Sequence, residues 1–208
     1  MKYTHMLTIL LLIGMAQQVF AQAPAVDKVK FFNEEATITA TLEGNWSKII
    51  KEKGKEGRKY PARFIAQLPD NIAVNEPVQL EVRGHFRRGE CYIPPIKLGF
   101  KKSEGSQMQQ LKSLKLVSSC KTNPASEQYV LKEYLCYKMY NILTEKSFRV
   151  RLLKIDYKDS STSKSVFQGH AFLIEDEKDM AKRNNCRDFS MHKIPPEAAE
   201  RKQTTLMN

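Results

Sequence analysis

Beyond its first two dozen positions the chain has no apolar run long enough to span a membrane as a helix. Nine Gly and nine Pro among 208 residues are too few for a collagen-like or low-complexity chain. There is no Walker A sequence and no G-x-G-x-x-G, so the common phosphate-cradling loops are missing. No G-x-S-x-G and no paired-carboxylate motif points to a hydrolase. No C-x-x-C and no His cluster gives a metal-ligand spacing. Acids are the minority charge, 23 Asp+Glu against 34 Lys+Arg, leaving a net charge of +11 that admits an anionic partner. What remains is an ordinary globular balance, 41% hydrophobic and 27% charged. Its length suits one domain, or one domain and part of another.

The N-terminus reads as an export signal. Lys2 supplies a short basic start, Met6 to Met15 is an apolar run, and polar Gln17 and Gln18 follow. Small residues stand at cleavage spacing, with the cut expected after Ala21 because Pro24 would follow the alternative cut. Residues 1–21 are therefore expected to be a signal peptide, followed by a linker over 22–35. No Cys lies at the cleavage point, so no lipid anchor is expected. The mature chain is expected to be periplasmic or extracellular.

Export sets how the cysteines read. Cys91, Cys120, Cys136 and Cys186 permit two disulfides in three connectivities. Cys91 precedes one predicted strand and Cys120 ends another, so these two are expected to meet. Cys136 lies inside a predicted helix and is expected to stay unpaired as a small buried hydrophobe.

Hydrophobic periodicity predicts a strand-rich chain. Ala36–Leu42 is β-branched and alternating, and Trp46, Ile49 and Ile50 then take helical spacing. Four further segments alternate with period two: Ala62–Leu68, Val78–Arg83, Ile96–Lys101 and Leu114–Leu116. One apolar face on each predicts a half-buried antiparallel sheet. A long helix is predicted over Glu127–Leu143 with Ser126 as its cap. Leu131, Tyr134, Leu135 and Ile142 are expected to be buried in it, alongside Leu80, Val82, Leu98 and Leu116 of the sheet. Strands over Phe148–Leu152 and Val166–Ile174 follow, joined across a polar loop at Lys158–Lys164. Pro195-Pro196-Glu197 opens a last helix that reaches Asn208 without a stop signal, which predicts further sequence downstream.

Between Lys48 and Arg63 seven basic residues face two acidic ones. The run has no interleaved aromatics for base stacking, and it reads as a solvated surface with no nucleic-acid partner.

A series of short segments carries a resemblance. Val82-Arg83-Gly84-His85-Phe86-Arg87-Arg88 precedes Pro94-Pro95-Ile96-Lys97-Leu98-Gly99-Phe100. Leu114-Lys115-Leu116-Val117, Leu131-Lys132-Glu133-Tyr134-Leu135 and Gly169-His170-Ala171-Phe172-Leu173-Ile174-Glu175-Asp176 follow. In this order the chain resembles the CotH family of spore-coat, protein-kinase-like proteins, and more closely the exported CotH-like proteins of Bacteroidetes-type bacteria, over about Ala36 to Arg183. The resemblance implies an α+β fold: an antiparallel-sheet N-lobe of an atypical kinase-like fold over 36–177 with one long packed helix. An incomplete helical C-lobe would begin at 178–208, with a hinge at Ile174–Glu177. It also implies ATP and Mg between the lobes, and phosphate transfer to Ser residues of a protein substrate. Two departures stand out: His85-Phe86-Arg87 replaces a small polar residue after Arg-Gly, and Lys158–Lys164 replaces an Asn-Gly-x-Tyr turn. The family's metal-binding and catalytic Asp residues come later than Asn208, so this chain alone is expected to be inactive, with no catalytic or metal residue assigned.

Phosphoryl transfer needs cations on phosphate oxygens and carboxylates on metal. Lys97 and Lys115 lie on adjacent predicted strands, on the polar face, each placed to meet a phosphate or to pair with Glu133. Arg83 offers a planar fork for phosphate oxygens. With Glu175 of the hinge, these five are the nucleotide-binding candidates. The competing reading is a non-catalytic exported module, either a pseudokinase or a β-rich protein that binds an anionic partner through its basic face.

Overall fold

A computed structural model describes residues 27–187, apart from 56 and 101–105. The signal peptide and the helix predicted from Pro195 lie outside the described residues. In order, the elements are α1 (Lys28–Asn33), β1 (Ile38–Gly44), α2 (Trp46–Glu52), β2 (Lys59–Gln67), β3 (Ala73–Val82) and α3 (Phe86–Glu90). They continue with β4 (Ile96–Phe100), β5 (Ser113–Ser118), α4 (Pro124–Leu143), β6 (Val150–Asp159), β7 (Ser165–Ile174) and α5 (Glu177–Arg183).

The strands close into a barrel in the order β1-β2-β3-β4-β5-β7-β6. Six of the pairings are antiparallel. The seventh closes the ring: β1 runs parallel to β6, from Ile38 opposite Leu153 to Gly44 opposite Asp159. This overturns the expected open antiparallel N-lobe followed by a helical C-lobe. The physical reason lies in the pattern itself. Alternation reports that one face is buried, and the inside of a barrel and the covered face of a sheet bury side chains alike. The described residues hold no helical lobe. α5 returns to the barrel with Ala181 buried.

The interior is filled by the inward phase of every strand, including Leu42, Phe64, Leu80, Leu98, Leu116 and Leu173, each essentially inaccessible. Leu80, Val82, Leu98 and Leu116 are buried as the alternation predicts. Short helices stop both ends. α1 seats Phe31 and Phe32 where β1 and β6 begin, next to the buried Arg151, which donates to Glu34 and lies 5.8 Å from the Phe31 ring. α2 stops the other end with Trp46, whose ring meets Tyr157 edge-on at 4.9 Å and whose Nε1 donates to the Leu42 carbonyl. There Asp159 accepts from the Ser47 and Ser161 backbone and hydroxyl groups, which hold its carboxyl well below the usual carboxylate range.

A second, smaller core lies outside the barrel. Val117, Val150, Phe172 and Ile174 point outward and are covered by Val130, Tyr134 and Tyr137 of α4. The helix is capped by Asn123, whose side chain accepts from Ser126 N at 2.8 Å, with Pro124 in the first turn, in place of the expected Ser126 cap. The expected burial fails for two residues: Leu135 and Ile142 are 56% and 85% exposed. Cys136 is likewise an exposed free thiol, not a buried one. Apolar side chains ring α4 almost completely, and the barrel wall covers only one side of it.

Candidate functional site

Arg83, Lys97 and Lys115 come together on the outer barrel wall because the strands carrying them are sequential neighbours. Lys97 of β4 stands directly opposite Lys115 of β5, and opposite Glu81 of β3 on its other side. Arg83 directly follows β3, and its backbone N–H donates to the Pro95 carbonyl at 2.9 Å, which puts its side chain diagonal to Lys97 on the same face. All three are half-buried.

The surroundings come from three helices. Glu177, at the start of α5, bonds Lys115. That bond holds its carboxyl below the usual range, with the charges of Lys97 and Arg83 adding to the effect. Glu133 and Tyr137 of α4 lie within electrostatic reach of Arg83. Arg87 of α3 is close enough to add a repulsive charge to Arg83, whose guanidinium is pushed down first by burial and then by Arg87. The Nε of Arg83 is buried with no hydrogen-bond partner among the described residues.

A covalent brace holds the rim. Cys91 and Cys120 form a disulfide with Cα atoms 4.4 Å apart, as their placement at strand ends predicts. Tyr92 N donates to the Cys120 carbonyl at 2.8 Å, and Arg87 reaches the Ser118 carbonyl at 3.3 Å. The loop leaves β3 through Gly84, whose φ of +81° is strained for any residue with a Cβ. It presents Phe86, 77% exposed, beside the cations.

Four of the five sequence candidates therefore share one neighbourhood: Arg83, Lys97, Lys115 and Glu133. Glu175 does not join them. It is buried and accepts from Arg149 N at 3.1 Å and from the Arg183 guanidinium at 2.8 and 3.2 Å. Sequence reasoning missed Glu177 and Arg87. The pairing of Glu177 with Lys115 follows from β7 lying beside β5 and delivering α5 to that edge, a non-local arrangement with no local signal.

The ridge suits an anion. Two lysines directly opposite one another repel, at a cost of roughly 0.2–1 kcal/mol, and Glu177 bonds only one of them. For the nucleotide and Mg implied by resemblance, the cations fit phosphate oxygens. The metal half finds no matching set, because no three His, Cys, Asp or Glu side chains converge among the described residues. No phosphoryl-transfer step is derived. The basic run from Lys48 to Arg63 lies elsewhere, where Lys48, Arg58 and Lys59 line an open groove of about 350 Å³. There Arg58 and Lys55 both pair with Glu52, whose carboxyl falls to about 2. Comparison of the chain with protein-family models, with curated proteins and with solved structures finds no match.

Proposed function

We propose that this chain is a non-catalytic, exported binding module that holds a phosphate-bearing partner on the Arg83–Lys97–Lys115 ridge. The observation that carries this reading is the opposed Lys97–Lys115 pair beside an Arg83 Nε that is buried without a partner. Such an arrangement keeps positive charge partly desolvated, and a dianion relieves both the repulsion and the missing hydrogen bond. Export is supported by the signal-like N-terminus and by the Cys91–Cys120 bridge, a bond that persists in oxidising compartments.

The test is calorimetric titration of the mature chain with pyrophosphate and with ATP, with and without Mg²⁺, at low and high salt. Binding should weaken as salt rises. Arg83→Ala or Lys97→Ala should lower affinity about tenfold, the loss of one charge-assisted hydrogen bond. Lys48→Ala and Lys59→Ala, in the distant groove, should leave it unchanged. Equal losses in both sets would mean binding by net charge alone and would sink the proposal. Phosphate transfer from labelled ATP to a Ser-rich protein, lost in Lys97→Ala, would replace it with the kinase reading.

A further inference from the structure

The outward side of α4 presents Leu131, Leu135, Met139 and Ile142 at helical spacing, with Leu143 beside them. Met139, Ile142 and Leu143 are 64%, 85% and 78% exposed. A helix that is apolar on both sides is a buried helix. Its inner side already has Phe172 and Ile174 under it, so the outer side calls for a second cover.

We infer that residues 188–208 of this chain lie along the outer face of α4. Three observations select this occupant. First, the described chain leaves the barrel beside the C-terminal end of α4: Arg183 donates to the carbonyls of Glu145 and Ser147, immediately after the helix. The most exposed apolar residues, Ile142 and Leu143, stand at that same end. Second, length and content match. α4 has 20 residues, about 30 Å of helix. The segment has 21 residues, with apolar Phe189, Met191 and Ile194 nearest the exit and Leu206 and Met207 at the far end. Its charges balance, Asp188, Glu197 and Glu200 against Lys193, Arg201 and Lys202, so it brings no net charge to an apolar stripe.

Third, area argues against a separate molecule. A face about 30 Å long and about 10 Å wide offers roughly 300 Å², well short of the roughly 800 Å² per partner that a stable complex between free chains buries. A tethered segment starts from an effective concentration in the millimolar range and needs far less contact.

Cys136 supplies the measurement, since it is exposed on α4 one turn before Met139 and Tyr140. In a Cys186→Ser background, which leaves one free thiol, maleimide labelling of native protein is timed for three chains. They are the full chain, a chain ending at Arg187, and the full chain with Phe189, Met191 and Ile194 changed to Ser. Emission from Trp46, the sole Trp and fully buried, verifies an intact barrel in each. The full chain should label roughly tenfold more slowly than the other two, the protection of a segment docked about nine-tenths of the time. Equal rates in all three overturn the inference. So does protection that grows with protein concentration alongside a dimer mass in light scattering, which assigns the face to a second copy. If the shortened chain loses its Trp46 signature, the serine variant decides alone.

Discussion

Glu127, in the first turn of α4, is bound twice by His170 of β7: by the backbone N–H at 2.8 Å and by ring Nδ1 at 2.6 Å. Gly169 leaves room for this approach, since a Cβ there would stand 3.4 Å from Glu127 Oε1 and 3.0 Å from Phe167. The backbone bond first, and the ring bond second, hold the Glu127 carboxyl below its usual range. A carboxylate depressed in the folded state contributes stability above its unfolded pKa and loses it as pH falls through the folded value. Acidification below about pH 4.5 should therefore loosen the start of α4. Glu127→Gln should cost about 1 kcal/mol at pH 7, a charged hydrogen bond discounted for partial exposure. In urea titrations the gap between the two proteins should close by pH 3. A gap that persists at pH 3 would mean the carboxylate charge contributes nothing.

Reducing the Cys91–Cys120 bridge should lower stability by about 3–4 kcal/mol on the chain-entropy account, given its separation of 29 residues. Thermal melts with and without a phosphine reductant measure this. Because the bridge braces the loop carrying Arg87, anion affinity should fall with it. Cys136→Ser should change neither quantity.

Leu98, fully buried inside the barrel, should cost about 2–5 kcal/mol on truncation to Ala. Phe86, the exposed aromatic of the α3 loop, should cost under about 0.5 kcal/mol on change to Ser. Chemical denaturation of the two variants distinguishes an interior built as described from one in which the loop aromatic turns inward.

The strands were legible residue by residue. Leu80, Val82, Leu98 and Leu116 announce their inward face by alternation, and the Cys91–Cys120 pair follows from strand ends alone. The course of α4 was legible too, but its burial was not. Val130, Tyr134 and Leu135 all fit a helical period, and only the barrel's position decides that the first two face inward and Leu135 does not. The pairing of β1 with β6 had no signal at all, since alternation within one strand says nothing of a distant partner. β6 also runs to Asp159, into a stretch whose polar residues read as loop. At the candidate site the three cations were visible as polar-face residues, while Glu177 and Arg87 became neighbours only through the fold.

Closure by a parallel pair also bears on how the chain acquires its structure. β1 finds one neighbour in β2, but its other neighbour is β6, the penultimate strand. Ile38 cannot meet Leu153 until most of the described sequence exists, and loop-closure entropy must be met before that contact stabilises anything. A hairpin-by-hairpin start from β1 through β5 leaves an open, curled sheet with an unpaired edge on β1, a surface prone to pairing with other chains. Productive folding is thus a race between the arrival of β6 and the capture of that edge. The slow step belongs to the whole chain and not to any one hairpin.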